Sequence, residues 1–411
     1  MLKVAVVGMG HGKSHVKVFN EFIDQTEVVT LCDAVEDRAK QVAEEFGIDR
    51  WVTNYSDVLV DRDVDLVAIC TPCHLHGKQT LAALDHGKHV MVEVPMENQS
   101  LDTLWKIIYM AERRNLKVQM DNQHRWMAPA VHMRNLIERG RLGDIFYVET
   151  EYLHNTETIQ IGKDGVPTFR FGYGQEAQGT ICAGGGLYAV DTARWFTGEQ
   201  FVEVFGYGNK KNIPYRQVFD HEVALFKTES GAIARVVCSK GIKRPTIEYM
   251  AAYGTNGTLE TSSRVPDPPD GPGVYGCFVD EDPDYHNGVY RWQYDMSIKK
   301  DEIEGAEPPV QHPMKKIDVP PLKEVDSKMA AKVGHGGTEW LANLDLVNAI
   351  LEDRQPPCNV YESARSCAGA ICAVKSIDEG KPIQIPDIAD RSGYAAKFKN
   401  LPYAHLNSDE L

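Results

Sequence analysis

The chain has 411 residues, of which 43% are hydrophobic and 25% are charged, as in ordinary soluble globular proteins. That length predicts two or three domains, each with an ample core. The formal net charge of −15 argues against a nucleic acid or an anionic membrane as a partner. No apolar run approaches the roughly 20 residues that span a bilayer. The chain enters a strand without a signal segment, so the expected location is the cytoplasm.

Nine cysteines are scattered along the chain, and this odd number does not predict a disulfide framework. Cys70 and Cys73 form a CxxC pair, a spacing found in zinc and redox motifs. However, Cys70 ends an apolar strand, and no second CxxC completes a set of zinc ligands. The sequence therefore predicts no metal site.

Residues 1–15 have the pattern of a strand, a glycine turn and a helix. The apolar run before the turn favours a strand buried on both faces of a parallel sheet, and the helix is expected over residues 14–23. The turn has the spacing GxGxG and contains Gly8, Gly10 and Gly12. Backbone amides bind a pyrophosphate there, because no Cβ intervenes and the helix dipole favours an anion. The stretch therefore predicts a nucleotide site, to which His15 is also assigned.

An acidic residue at the end of the next strand predicts which nucleotide binds. Asp33 follows the strand expected over residues 27–32, about twenty residues after the glycine turn. A carboxylate there bonds both hydroxyls of the ribose and repels a 2′-phosphate, so the predicted cofactor is NAD rather than NADP. Asp33 also suits the cap of the helix expected over residues 34–46, and the two roles can coexist.

Strands and helices alternate up to about residue 119, which indicates a doubly wound parallel sheet. Further strands are expected at 66–70, 89–92 and 117–121, and further helices at 77–86 and 101–114. Ligands of such sheets bind at the carboxyl ends of the strands. The residues expected to contact the cofactor beyond the glycine turn and Asp33 therefore follow these strands: Thr71, Pro72, His76, Glu93, Val94 and Asn122.

Two of these residues are assigned to the nicotinamide end of the cofactor. His76 is expected to lie near the nicotinamide, although a solvent-facing histidine near a helix N-terminus is the alternative. The side-chain amide of Asn122 suits a bond to the nicotinamide ribose. Pro95 restricts Val94 to extended geometry, and a cis Val94–Pro95 bond is compatible with the sequence.

A second domain is predicted from residue 126 to 390, after a first domain of residues 1–125. One more helix over 130–140 precedes a run of strand-length segments separated by turn residues, which indicates an open, largely antiparallel sheet. The strands are expected at 145–152, 201–206, 222–228, 232–238 and 248–253. Three helices, at 186–196, 339–352 and 361–379, are expected to cover one face of this sheet.

Residues 265–325 are rich in proline, glycine and acidic residues, with clustered aromatic side chains. So long a weakly patterned segment predicts an insertion that packs over something, either as a lid over the active site or as an arm between subunits. The last segment, residues 391–411, is expected to be a C-terminal tail. An open apolar sheet face is a liability in water, so a homo-oligomer is expected.

Several of these stretches resemble the Gfo/Idh/MocA family of glucose–fructose oxidoreductase and inositol dehydrogenase. They include GMGHGKSHV, LCDAVEDRA and the run from Ile69 to Pro95. The resemblance implies a Rossmann domain, an open antiparallel sheet and hydride transfer between NAD(P) and a sugar or cyclitol. Most members carry Glu-Lys-Pro after the fourth strand of that family's domain, with the lysine reaching the reacting hydroxyl. Here Val94 stands in place of that lysine.

The segment GKHVMVEVP is similar to the branch containing the NAD-dependent α-N-acetylgalactosaminidases, glycoside hydrolase family 109. The likeness continues through MDNQHRW, EYLHN, GLYAVD and GHGGTEWL. It implies that Glu93, Val94, His76 and Asn122 contact NAD and that Tyr152 contacts the sugar. One alignment places Asp191 where those glycosidases have a catalytic histidine. Another, through Arg194 and Trp195, places Tyr188 at the catalytic histidine of the wider family, and the sequence does not choose between them.

Removal of hydride from a secondary alcohol needs a base for the hydroxyl proton and an oriented nicotinamide. The catalytic candidates are Tyr188, Asp191, Tyr152 and His335, and the substrate contacts are Tyr152, His154, Tyr188 and His335. The alternative is that Tyr188 and Asp191 are only a helix N-terminal tyrosine and a first-turn acid. His335 lies among glycines, which suit a close approach to a ligand or only a tight turn. His154 suits a sugar contact or a satisfied buried histidine equally well.

The predicted function is NAD-dependent oxidation of a ring hydroxyl carbon of a sugar or glycoside. A redox-neutral glycosidase is the first alternative: transient oxidation acidifies the neighbouring C–H, the aglycone is eliminated, water adds and NADH returns its hydride. A catalytically silent, NAD-bound sensor or assembly subunit is the second alternative.

Overall fold

The structure, a computed structural model, describes residues 1–156, 179–182, 184–211, 213, 218–264, 271–279, 314–319 and 332–390. Within these ranges the side chains of Gly334 and His335 are not described. The predicted insertion is therefore covered only at residues 271–279 and 314–319, and the predicted tail lies outside the described residues. None of the helices described is long and apolar enough to cross a membrane.

The first 120 residues form a six-stranded parallel sheet with the strand order β3-β2-β1-β4-β5-β6. Its strands are β1 (Leu2–Val7), β2 (Thr26–Cys32), β3 (Trp51–Val52), β4 (Leu66–Ile69), β5 (His89–Val92) and β6 (Val118–Met120). All four residues of β4 are buried, as expected of a central parallel strand covered on both faces. The predicted doubly wound sheet is confirmed.

Helices cover both faces of this sheet. They are α1 (Met9–Glu21), α2 (Glu36–Phe46), α3 (Tyr55–Leu59), α4 (Cys73–Asp85) and α5 (Leu101–Arg114), followed by a 3-10 helix (Gln123–Trp126) and α6 (Ala128–Glu138). The prediction missed β3 and α3, because a two-residue strand carries no periodic pattern. Asn122 therefore follows the sixth strand of the sheet and not the fifth.

The second sheet has nine described strands in the order β14-β13-β12-β11-β7-β10-β9-β8-β15. They are β7 (Ile145–Leu153), β8 (Phe201–Asn209), β9 (His221–Thr228), β10 (Ile233–Ser239), β11 (Ile247–Gly254), β12 (Gly257–Thr261), β13 (Val274–Phe278), β14 (Lys315–Ile317) and β15 (Ile383–Gln384). Every neighbouring pair is antiparallel except β7 and β10. The predicted open, largely antiparallel sheet is confirmed.

The three predicted helices of the second domain are α7 (Gly185–Thr197), α8 (Thr338–Leu351) and α9 (Val360–Glu379). Helix α7 packs on β7 and β10, and α9 packs on β8. The prediction that all three cover this sheet is wrong for α8, which packs against α1 and the 3-10 helix. Two hydrogen bonds hold it there: Trp340 Nε1 donates to the Phe22 carbonyl at 3.0 Å, and Gln119 Nε2 donates to the Ala342 carbonyl at 2.6 Å.

Candidate active site

The glycine turn after β1 is tighter than the sequence indicates. Gly8 has a φ of +92°, and a Cβ there would lie 2.6 Å from the Cys70 carbonyl oxygen, so only glycine fits. Helix α1 begins directly afterwards at Met9. The prediction of a three-glycine turn is therefore wrong, because Gly10 and Gly12 lie inside the helix. A Cβ on Gly12 would lie only 3.0 Å from the Val6 side chain, so this glycine permits close packing of helix on strand.

Asp33 lies beside that turn, because β1 and β2 are parallel neighbours and end together. Its Oδ2 accepts a hydrogen bond from the Met9 backbone N–H at 2.8 Å, and its Oδ1 accepts one from the Val35 N–H at 2.8 Å. The second bond closes a local turn before α2, whose N-cap is Val35 without a side-chain cap, so the predicted capping role of Asp33 is wrong. Arg38 Nη1 approaches Oδ2 at 3.2 Å. The carboxylate is thus held next to the N-terminus of α1, where the sequence predicts the adenosine ribose.

His76 connects the segments that follow β4 and β5. Its Nε2 lies 2.7 Å from the Thr71 carbonyl oxygen, and its Nδ1 lies 2.7 Å from the Pro95 carbonyl oxygen. The alternative of a solvent-facing histidine is wrong, since only 1% of His76 is exposed. Both ring nitrogens are occupied by backbone groups, so the geometry favours a positioning role for His76. The Val94–Pro95 bond in the second segment is cis.

At the carboxyl end of β5, the carboxylate of Glu93 contacts two histidines of α1. His15 Nε2 lies 2.8 Å and His11 Nε2 3.2 Å from Glu93 Oε1, and His11 Nε2 also lies 3.4 Å from Glu339 Oε1 of α8. The Glu93 carboxylate raises the pKa of His11 to about 11, against the opposing effect of burial. Burial and the neighbouring Glu93 charge raise the pKa of Asp121, which follows β6, to about 8.

The spacing of this cluster also suits a metal ion. The ligand atoms of His11, His15 and Glu339 lie within 4.8 Å of one another, as do those of His15, Glu93 and Asp121. Asn343 argues against this use of the cluster. Its Nδ2 donates to the Glu339 carbonyl at 2.8 Å and faces His15 Nδ1 at 3.0 Å, so Nδ1 accepts and Nε2 carries the N–H given to Glu93. His15 then has no lone pair for a metal, and the described cluster is a hydrogen-bond network.

His15 was assigned to the cofactor from the sequence, and the structure gives it a different contact. The side chain is fully buried, and its two ring nitrogens form hydrogen bonds with Glu93 and Asn343. It positions the carboxylate of Glu93, whose own side chain is 13% exposed at the strand end.

Asp191 on α7 is the centre of a buried ion-pair network. Arg125 binds it through two hydrogen bonds, Nε to Oδ2 at 2.7 Å and Nη2 to Oδ1 at 2.9 Å. Asn122 Nδ2 donates to Oδ2 at 2.5 Å, and Ser366 Oγ donates to Oδ1 at 2.6 Å. Burial alone would raise the pKa of Asp191, but the Arg125 charge lowers it to about 2.

This geometry does not support the predicted catalytic role of Asp191. A general base needs a pKa near the working pH and a free lone pair, and Asp191 has neither. Asp191 instead fixes the side-chain amide of Asn122 at the end of β6. Asn122 Oδ1 also accepts from the His124 N–H at 3.3 Å, which starts the 3-10 helix.

Tyr188, three residues before Asp191 on α7, belongs to a group of rings that we term the aromatic patch: Tyr152, His154, Tyr188 and His124. The Tyr188 ring stacks on His124 with centroids 5.0 Å apart, and lies 5.9 Å from Tyr152. Tyr152 stacks on His154 at 5.7 Å. A Cβ on Gly185 would lie 2.1 Å from the Tyr152 ring, so glycine at the start of α7 makes this approach feasible. The structure thus brings three predicted substrate contacts together.

Several residues of the site carry no signal that the sequence reasoning used. His124 and Glu248 approach each other at 3.5 Å, and Lys240 Nζ lies 5.1 Å from the Tyr152 ring centroid. His11 was passed over although it stands four residues before His15, a spacing that places both on one helix face.

Burial, and then the charge of Glu248, raise the pKa of Tyr152. The side chain of His335 lies outside the described residues, so its role stays a prediction.

The residues at the carboxyl edge of the first sheet fit NAD. The amides at the start of α1 suit the diphosphate, and Asp33 suits the adenosine ribose. Thr71, Glu93 and Asn122 follow β4, β5 and β6 along the same edge, in the order that leads to the aromatic patch. This donor set matches the chemistry of the dinucleotide from one end to the other.

Comparisons with known proteins agree with this arrangement. Residues 2–122 match the family described as "Oxidoreductase family, NAD-binding Rossmann fold", and residues 130–260 match the "GFO/IDH/MocA C-terminal domain". Residues 285–394 match the "Glycosyl hydrolase 109, C-terminal domain".

Among relatives, the chain is 25% identical over 425 residues to glycosyl hydrolase family 109 protein 1 of Phocaeicola vulgatus, covering 94% of this chain and 83% of the relative. It is 26% identical over 243 residues to the scyllo-inositol 2-dehydrogenase (NAD(+)) of Bacillus subtilis, covering 58% of this chain and 67% of the relative. The solved structure of scyllo-inositol dehydrogenase from Lactobacillus casei, with bound NAD(H) and scyllo-inositol, superposes with a TM-score of 0.66 at 16% identity. That superposition covers 94% of this chain and 99% of the other, and it shows a shared fold.

The family matches reach into both sheets, and the family is described as NAD-binding. The chain belongs to the Gfo/Idh/MocA family of NAD-binding oxidoreductases.

Proposed function

We propose that the chain oxidises a hydroxyl-bearing ring carbon of a sugar or glycoside at the aromatic patch. The observation that carries this proposal is the link from Asn122 through Asp191 to α7. It holds the aromatic patch against the end of β6, where the nicotinamide ribose is expected. NAD supplies the hydride acceptor when bound. Rings with polar edges are the lining expected of a site for a small polar ligand, and Tyr152, Tyr188 and His154 are its substrate contacts.

A redox-neutral glycosidase is the second candidate. It is favoured by the match of residues 285–394 to a glycosyl hydrolase 109 domain and by Val94, which stands where a lysine would reach the reacting hydroxyl in the dehydrogenases. In this reaction the oxidised ring carbon acidifies its neighbour, the aglycone leaves, water adds, and the hydride returns. Both candidates begin with the same hydride removal at the same patch.

One incubation separates these candidates. Purified protein is mixed with NAD and a panel of sugars, cyclitols and aryl glycosides, and the absorbance of NADH is followed together with release of free aglycone. Net NADH is the result that the proposed dehydrogenase gives. Aglycone without net NADH assigns the glycosidase instead. Neither product from any compound, with NAD bound, contradicts both and leaves a silent NAD-bound subunit.

A homo-oligomer is part of the proposal. Tyr207, Leu225 and Ile233 lie on the face of the second sheet opposite α7 and α9, and they are exposed by 71%, 47% and 46%. Apolar side chains grouped on one open sheet face support burial against a second copy. Location in the cytoplasm stays a prediction from the sequence.

A further inference from the structure

We propose that His124 is the base that takes the proton from the substrate hydroxyl. This proposal rests on the proposed oxidation at the aromatic patch and names the group that performs its proton transfer. His124 lies in the 3-10 helix that follows β6, two residues after Asn122. It therefore connects the expected nicotinamide end of the cofactor with the ring of Tyr188.

The hydrogen bonds of His124 leave one nitrogen for chemistry. Its Nδ1 lies 3.0 Å from the Thr192 hydroxyl oxygen on α7. Its Nε2 is buried and has no hydrogen-bond partner among the residues that the structure describes. Buried imidazole nitrogens are normally paired, so an unpaired one at a ligand patch requires an explanation. With Nδ1–H donated to Thr192, Nε2 presents its lone pair.

Glu248 supplies the charge that such a base needs. Its Oε2 lies 3.5 Å from His124 Nε2, and its side chain is 32% exposed. Glu248 also stands directly opposite Tyr152 in the pairing of β11 with β7, so it borders the same patch. A carboxylate at this distance stabilises the positive charge of the imidazolium that forms when Nε2 takes a proton.

The other described acid–base candidates are poorer bases. Arg125 keeps Asp191 ionised and bound, with its pKa at about 2. Burial raises the pKa of Tyr152 above its ordinary value, so its hydroxyl keeps its proton. Imidazole is the group that most often takes protons in enzymes, and His124 stacks on Tyr188, whose ring lies 5.9 Å from that of Tyr152.

The step balances without a further reactant. The proton of the substrate hydroxyl moves to Nε2, and the electron pair of the O–H bond forms the second bond of the carbonyl. The hydrogen on the same carbon leaves with its electron pair to NAD. The alcohol is oxidised, the nicotinamide is reduced, and the proton stays on His124 until solvent or the returning reaction takes it.

The test compares His124→Ala and His124→Gln with the wild-type protein in the rate of NADH formation from the most active compound of the panel. We expect both variants to lose about 10²-fold or more in kcat while calorimetry shows unchanged NAD binding. Added imidazole restores a measurable fraction of the rate in His124→Ala, because it enters the vacated space and accepts the proton. The matched control is His86→Ala, an exposed histidine at the end of α4, which keeps the full rate with or without imidazole.

Each other outcome overturns the assignment. A His124→Gln variant that turns over at the wild-type rate excludes His124 as the base while leaving the oxidation intact. A slow His124→Ala variant that imidazole does not restore assigns the residue a structural role only. If the wild-type protein itself reduces no NAD with any compound, the proposed function fails and this assignment fails with it.

Discussion

Asp33 and Arg38 form an ion pair at the place where the adenosine ribose is expected. Removing the carboxylate in Asp33→Ala deletes the acceptor expected for the ribose hydroxyls and the negative charge that would repel a 2′-phosphate near the Arg38 guanidinium. We expect NAD affinity to fall about tenfold, a cost of about 1.4 kcal/mol, and NADP affinity to rise relative to it. Calorimetric titration with both cofactors measures this.

The control for that experiment is Asp37→Ala, an exposed acid in the first turn of α2. It changes the charge of the same helix by the same amount without touching the ribose site. An unaltered ratio of NAD to NADP affinity in Asp33→Ala would remove Asp33 from cofactor selection.

Tyr188 is expected to act through its hydroxyl. The variant Tyr188→Phe keeps the ring that stacks on His124 at 5.0 Å but removes the polar group that meets the substrate. We expect kcat to fall at least about tenfold, as for the loss of a hydrogen bond in the transition state, with NAD binding unchanged. Tyr207→Phe, on the exposed sheet face, is the matched control. Equal turnover in Tyr188→Phe and the wild-type protein would exclude the hydroxyl from the reaction.

At this scale the sequence predicts residues whose role is set by local chain order. Gly8 and Asp33 are predicted because a turn and a strand end fix their place. The true role of Asp191 is not predictable in this way, because its partner Arg125 lies 66 positions earlier in the chain. The spacing of Tyr188 and Asp191 on one helix gives no sign that the acid is already neutralised by a buried arginine.

Among the elements, periodic patterns predict most strands and helices, and α5 is predicted with its observed bounds, Leu101–Arg114. Ser100 caps that helix through Thr103 N–H, and Asn115 ends it in a left-handed conformation, so its limits are encoded locally. The position of α8 is not encoded locally. It is set by contacts with residues far away in the chain, among them those of Trp340, Ala342 and Asn343.

Helix α7 is anchored by the Asp191–Arg125 pair, which makes a prediction about stability. The variant Asp191→Asn leaves Arg125 buried with a weakened partner, and we expect a loss of about 3–5 kcal/mol in the free energy of unfolding near neutral pH. Urea denaturation measures this. Asn122 also loses its fixed orientation, so the Michaelis constant for NAD should rise. Asp37→Asn, at an exposed site, is the control and should unfold like the wild-type protein.

The same variant should change how the free energy of unfolding depends on pH in the acid range. The folded pKa of Asp191 is about 2, below its ordinary value of 3.8, so the ionised form stabilises the native state at higher pH. That contribution is about 2 kcal/mol and is lost as the pH falls from about 4 toward 2. The difference in unfolding free energy between wild type and Asp191→Asn should therefore narrow over this range. A difference independent of pH there would contradict the assignment of the buried charge.

For the whole molecule, the open face of the second sheet makes a prediction about assembly. We expect the wild-type protein to run as a dimer or larger species in size-exclusion chromatography with light scattering. Leu225→Lys places a charge in the exposed apolar group and should shift the protein toward the monomer, with its circular dichroism unchanged. Leu351→Lys, 52% exposed at the end of α8, is the matched control. A wild-type monomer would contradict the proposed interface.

The two-sheet architecture is predictable from the sequence because alternating strands and helices give way to a run of strands. The way the two halves meet is not predictable. Helix α9 packs against both α5 of the first domain and β8 of the second, and α8 carries Glu339 to His11 on α1. Such contacts join residues hundreds of positions apart, and chain order does not encode them.

The most direct test of the whole account is a stopped-flow experiment on NAD-loaded protein mixed with the panel of sugars and glycosides. A dehydrogenase and a redox-neutral glycosidase both pass through NADH on the protein, so the account predicts a rise in NADH absorbance of up to one equivalent per chain. The rise should be slowed in Tyr188→Phe and His124→Gln. Bound NAD that stays fully oxidised with every compound would contradict hydride transfer at the aromatic patch.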